Sequence, residues 1–165
     1  VIELIAGGAA DIGFSGTVLE RKFCKYIPFY KDELIIIMPN TGKYRELMEK
    51  EDLSWLKNEP YIMREEGSGT REFLTDLTEN RGIPIVEKWI CHSSDSIINI
   101  VASGQGVSIL SKSLLRHHDE VNQIAINDFP LKRSFKIVYH KDKFLSTGLR
   151  KLIAGIENKF HSNTW

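Results

Sequence analysis

Hydrophobic positions along the chain change period repeatedly, and each change marks an element. Ile2, Leu4 and Ile5 recur at helical spacing and stop at Gly7 and Gly8, so the chain opens on the end of a helix. Ala10, Asp11, Ile12, Gly13, Phe14 and Ser15 then read as a short strand. A second short apolar stretch covers residues 25–29. Leu34, Ile35, Ile36, Ile37 and Met38 form an uninterrupted apolar run closed by Pro39 and Asn40, the pattern of a strand buried on both faces. Residues 44–50 suggest a charged helix or turn, and 60–63 a strand. Phe73, Leu74 and Leu77 mark one face of a helix that Asn80, Arg81 and Gly82 close, with Pro84 just beyond. Residues 87–91 read as a strand. Ser93, Ser94 and Asp95 cap a helix carrying Ile97, Ile98, Ile100 and Val101, which Gly104 and Gly106 end before a strand at 107–110. A strand at 135–139 and a last amphipathic helix from Ser146 complete the series, leaving a frayed tail at 161–165. Strands alternating with helices predict an α/β architecture with mostly parallel sheets.

Charge narrows the function. Lys and Arg number 22 and Asp and Glu number 22, so the segment lacks the basic excess of a nucleic-acid-binding domain. No run approaches the length of a membrane span. Cys24 and Cys91 are read as free thiols in a reducing cytosol, since a domain of this size needs no disulfide. Enzyme signatures fail: Gly13, Phe14, Ser15 and Gly16 lack the glycine spacing of a nucleophile elbow. Ile109 stands where a dinucleotide fingerprint wants glycine or alanine. The five histidines show no metal-ligand spacing. No metal, cofactor or catalytic residue is therefore assigned.

The stretch richest in chemistry is Gly67, Ser68, Gly69, Thr70 and Arg71, between a strand and a helix. Glycines let backbone amides approach a ligand, a helix start carries unpaired N–H groups and partial positive charge, and Arg71 adds a forked cation. Together these residues could cradle an anion. The plainer alternative is a helix cap, with Arg71 solvated or paired to Glu65 or Glu66. Ser93 and Ser94 begin the next helix, where Asp95 favours capping over anion binding. Ser15, Gly16 and Thr17 follow a strand end. Ligands of open α/β sheets bind outside the carboxyl ends of strands, so the three groups could converge on one crevice or be unrelated polar loops.

Four passages in this order resemble the effector-binding domain of LysR-type transcriptional regulators. They are Leu4 to Phe14 with its glycines and Asp11; Pro28 to Pro39; the passage Val101, Ala102, Ser103, Gly104, Gln105, Gly106, Val107; and the closing strand, Lys-containing turn and helix. The resemblance covers roughly residues 4–160. It implies a type II periplasmic-binding-protein-like fold of two Rossmann-like lobes with an effector cleft between them. Lobe I would comprise 1–29 and 131–165, and lobe II 30–130. Its effector site would use Ser15, Gly16 and Thr17 with Ser68, Gly69, Thr70 and Arg71, and with Ser93 and Ser94 at the rim. The glycine-serine-glycine-threonine-arginine loop suggests a small anionic or phosphorylated effector. The resemblance further implies a homodimer or homotetramer in the cytoplasm, touching DNA only through a winged helix-turn-helix head that the chain lacks. It also implies an upstream strand, helix and strand that are absent here, so the chain is expected to be truncated at its front. A solute-binding protein of a transporter and a molybdate-type binding domain share the fold class and the loop. An enzyme on this fold would have only Glu65 and Glu66 near the loop as acid–base groups.

Overall fold

The computed structural model describes residues 1–16, 21–48, 53–124 and 132–161. Thr17, Lys50 and the tail at 162–165, on which the sequence pattern bears, lie outside the described residues. The chain divides into two compact units, one of Val1–Asp32 with Lys132–Trp165 and one of Glu33–Leu131.

The first unit holds helix α1 (Ile2–Ala6), strand β1 (Gly13–Ser15), the beginning of β2 (Cys24–Pro39), and, from the returning chain, β7 (Lys132–His140) and α5 (Thr147–His161). β1 runs antiparallel to β7 with Gly13 opposite Val138 and Ser15 opposite Lys136, and β7 neighbours β2. α1 ends where the pattern placed it, at Gly7, and Gly8 turns the chain with φ +73°. Ile5, Cys24 and Val138 form the buried centre. Phe29 meets Phe14 and Phe160 edge-on, at centroid distances of 5.7 and 5.3 Å, which joins β1, β2 and α5 through aromatic contacts.

The second unit is built on the end of β2. Here the apolar run alternates between two cores, as a strand with period-two side chains must when both faces are covered. Leu34, Ile36 and Met38 pack with Tyr44, Leu56, Leu77 and Ile109. Ile35 and Ile37 pack with Ile97, Ile98 and Val101. The remaining elements are α2 (Gly42–Met48), a 3₁₀ turn (Ser54–Asn58), β3 (Pro60–Arg64), α3 (Gly69–Asn80), β4 (Val86–Cys91), α4 (Ser94–Ala102), β5 (Ser108–Ser111), a 3₁₀ turn (Lys112–Leu115) and β6 (Val121–Ile124).

Two expectations change. The sheets are not mostly parallel. β2 runs antiparallel to β5 (Leu34 opposite Ser111) and to β6 (Ile36 opposite Ile124), β1 runs antiparallel to β7, and β3 and β4 pair as parallel strands. The physical reason is β2 itself: it is one long strand that serves both units, so the short strands returning to it pair in the opposite sense. For the same reason, the two apolar stretches at 25–29 and 34–38 are a single strand of 16 residues. The polar residues between them do not interrupt it, because Asp32 is buried against Arg133 of β7.

The glycine directly ahead of Val107, Gly106, follows from close packing. Val107 donates to the Pro60 carbonyl and accepts from the Ile62 amide, both at 2.9 Å, which places this segment directly against β3. The Ser108 hydroxyl donates to the Ile62 carbonyl at 2.6 Å, a further tie within the same layer. A Cβ on Gly106 would lie 2.1 Å from the Pro60 carbonyl oxygen, and its φ is +149°. Only glycine fits there.

Candidate functional site

β3 and β4 lie side by side in parallel, with Arg64 opposite Cys91 at their carboxyl ends. Each strand leads directly into a helix, β3 into α3 and β4 into α4, so two helix starts follow two neighbouring strand ends. The first amides of each helix lack intrahelical acceptors and carry partial positive charge.

The turn into α3 is made by Gly67 at φ +77°, followed by Ser68 in an extended conformation. The Ser68 amide donates to the Glu65 carbonyl at 3.2 Å. The Ser68 hydroxyl makes no capping hydrogen bond and stays half-buried at the helix start. Gly69 opens the helix and Thr70 is buried. At α4, Ser93 is the cap: its hydroxyl oxygen accepts from the Ser96 amide at 3.5 Å. That is the role expected for it on the sequence.

Arg71 departs from the plainer alternative, in which it is solvated or paired to Glu65 or Glu66. Its guanidinium donates to the Arg64 carbonyl at 3.0 Å and meets Glu87 of β4 at 2.8 Å. It therefore pairs with neither Glu65 nor Glu66, and it ties α3 to the end of β3 and to Glu87 near the beginning of β4. A second cation beside the helix starts, Arg64, is one that the sequence reading did not single out. Arg64 presents its forked face to Glu65, Nε to Oε2 and Nη2 to Oε1, each at 2.7 Å, while its Nη1 lies 3.5 Å from the Ser94 hydroxyl oxygen. The hydrogen bonds from Arg64 lower the Glu65 carboxyl to about 2, against some opposition from burial and with smaller help from a backbone hydrogen bond and the Arg64 charge. The same pairing raises Arg64 above its ordinary value. A strand-terminal arginine followed by an acid was the available signal, but polar residues at a strand end are too common for it to stand out.

These residues offer a forked guanidinium, two helix starts and the hydroxyls of Ser68 and Ser94, with Arg71 holding the frame. Such a set can bind an oxyanion; it contains no nucleophile–base pair and so offers no covalent chemistry. Ser15 and Gly16 belong to the first unit. Ser15 ends β1 opposite Lys136, and Gly16 lies so close to Phe135 that a Cβ would come within 3.1 Å of its ring. Elsewhere in that unit, a pocket of about 350 Å³ is lined by Ile5, Ala6, Gly7, Gly8, His140, Asp142 and Lys143, none of which the sequence reading proposed.

Comparison with known proteins bears on the family and the fold. The model of the LysR substrate binding domain matches residues 1–160. The HTH-type transcriptional regulator CysL of Bacillus subtilis is 33% identical over 133 residues, 79% of this chain and 44% of that protein. The regulatory domain of Synechocystis CcmR, solved with 2-PG, superposes with a TM-score of 0.83 at 24% identity, covering 96% of this chain and 77% of that one. The effector-binding domain of QuiR, solved with shikimate, gives a TM-score of 0.83 at 18% identity, covering 99% of this chain and 78% of that one. At these identities the two structures bear on the fold, which is type II periplasmic-binding-protein-like. The chain spans about half the length of the curated relatives it matches. On the family match and the CysL similarity together, the chain belongs to the LysR substrate-binding domain family, the effector-binding part of transcriptional regulators and not an enzyme family.

Proposed function

We propose that this effector-binding domain recognises a small anionic effector at the starts of α3 and α4, and that occupancy modulates DNA binding by a winged helix-turn-helix head in a cytoplasmic regulator. The observation that carries the reading is the Arg64 guanidinium, set at the end of β3 with one nitrogen 3.5 Å from the Ser94 hydroxyl oxygen. Ser68, Gly69, Thr70 and Arg71 would complete the cradle from α3, with Ser93 and Ser94 from α4. Ser15, Gly16 and Thr17 are included on the family resemblance alone. Structures of similar fold were solved with 2-PG and with shikimate, both small polar ligands. An effector acts by binding two conformations unequally, whatever its identity.

The test is a thermal-shift screen of sulfate, phosphate, molybdate, small carboxylates and sugar phosphates. Each is run on the wild type, Ser94→Ala and Arg64→Gln. A ligand at about 100 times its Kd adds roughly 2.7 kcal/mol of stability, which is readily seen as a rise in Tm. A selective shift that weakens in both variants is expected. A shift of equal size in all three proteins would place the effector elsewhere.

Self-association to a dimer or tetramer is part of the same reading. Its support is β4, the outer member of its strand pair, on which Val86, Trp89 and Ile90 are 54%, 49% and 51% exposed. An open edge with large apolar side chains favours pairing with another chain, and we take that partner to be a second copy. Sedimentation should find a dimer or larger at tens of micromolar protein, shifting toward monomer in Trp89→Lys. A monomeric wild type would remove β4 as an assembly surface.

A further inference from the structure

Glu65 follows Arg64 directly, and successive side chains of an extended strand point to opposite faces. Their meeting therefore needs the chain to leave β3 at Glu65, which it does: β3 ends at Arg64, and the turn through Gly67 returns the Ser68 amide to the Glu65 carbonyl. The carboxylate is thus folded back onto the forked face of the guanidinium, with two hydrogen bonds of 2.7 Å. An oxyanion bound side-on to Arg64 would need that face, one of the two on which arginine offers a pair of parallel donors. Both side chains are partly open to solvent, 21% exposed for Arg64 and 28% for Glu65, so the pair can separate without disturbing the buried core.

Resting on the anion-binding reading above, we infer that Glu65 is a built-in occupant of the effector site, and that its displacement from Arg64 makes the site select multiply charged oxyanions over monocarboxylates. A monocarboxylate that replaces Glu65 exchanges one carboxylate–guanidinium pair for another of the same kind. It must also compete with a tethered rival, whose effective concentration is on the order of millimolar or above. A sulfate, phosphate or phosphate ester differs in two ways. It carries a second charge, and it has further oxygens that can accept from the Ser94 hydroxyl and from the amides at the helix starts. The Glu65 carboxylate has only two oxygens, both held on Arg64, so a third oxygen that reaches the helix starts is available only to the ligand. Displaced Glu65 returns to water, where its charge is well solvated. Release also frees the turn at the start of α3, which couples occupancy to the conformation of that turn.

The experiment measures the affinity of inorganic sulfate and of acetate by thermal shift at constant ionic strength. It uses the wild type, Glu65→Gln and Glu66→Gln. Glu66→Gln removes the same charge one residue further on, at an exposed side chain outside the Arg64 fork. The wild type should respond to sulfate and not to acetate. Glu65→Gln should bind sulfate about tenfold more tightly and acquire a response to acetate, the tenfold corresponding to loss of a favourable partly exposed ion pair. Glu66→Gln should behave as the wild type. A response to sulfate in Glu65→Gln alone would likewise support the inference, as the extreme case of internal competition. If the wild type binds sulfate and Glu65→Gln binds neither anion better, the built-in occupant is overturned while the anion site stands. Equal gains in both variants would reduce the effect to bulk charge and overturn it as well. Absence of binding in all three proteins would overturn the anion site and the inference together.

Discussion

Gly106→Ala is expected to destabilise the domain by roughly 2–6 kcal/mol, a large part of a total stability of about 5–15 kcal/mol. Two costs add. The φ of +149° is a conformation that L-residues rarely adopt, and the new Cβ would stand 2.1 Å from the Pro60 carbonyl oxygen and 2.8 Å from Ile62 Cδ1. The carbonyl cannot yield, because it accepts the Val107 amide at 2.9 Å. Relief would need β5 to draw away from β3, breaking that bond and its partner from Ile62. Gly104, two residues earlier, is the internal control. It has φ +85°, but a Cβ added there would meet nothing within 4 Å, so Gly104→Ala should cost only the conformational term, about 1–2 kcal/mol. Urea denaturation of the two variants separates the contributions. Equal losses at the two positions would show that the approach to Pro60 does not govern, and that backbone conformation alone does.

The glycine pair illustrates what was legible in the chain. A glycine-x-glycine step after an apolar helix and before an apolar strand is a local signal, and its cause proves local in sequence on one side only: the partner, Pro60, lies 46 residues away. Period-two burial of Leu34 through Met38 was legible for a similar reason, since the run itself reports that both faces are covered. Readings failed where a distant partner decides the outcome. Asp32 sits among Lys31 and Glu33 and looks like a break between two strands, yet its partner is 101 residues on. β6 has only Val121 and Ile124 as apolar residues, too few for periodicity, and is held by its register with β2. Residues 87–91 read as an ordinary strand, but all except Cys91 are exposed, and β4 has a neighbour on one side only among the described residues. At the site, the two helix starts were legible, and so was Ser93 as the cap of α4, whereas Ser68 leaves its capping role unfilled. The division of charges was not: Arg71 takes Glu87, 16 residues distant, and leaves Arg64 and Glu65 to each other.

Asp32→Ala should be the most damaging single change in the first unit, at about 3–5 kcal/mol. The Asp32 carboxylate is 1% exposed and accepts from Arg133 Nε at 2.8 Å, while Arg133 is 9% exposed and lies over the Phe135 ring at 4.8 Å. Taking two charges out of water is costly, and the pair is tolerated because each neutralises the other. Removing the carboxylate leaves the guanidinium buried beside an apolar ring without that counter-charge. Arg133→Ala does the converse to Asp32 and should cost a similar amount. The informative variant is the double one. If the two charges stabilise mainly by cancelling each other, Asp32→Ala with Arg133→Ala should be less destabilised than the sum of the single changes by about 1–3 kcal/mol, the coupling expected of residues in direct contact. A urea double-mutant cycle reads that coupling directly. Additivity within about 0.5 kcal/mol would mean that each side chain acts through its own packing and not through the pair. The polar break in the middle of β2 would then be explained by the space Asp32 fills, and a neutral residue of its size, as in Asp32→Asn, should serve equally well.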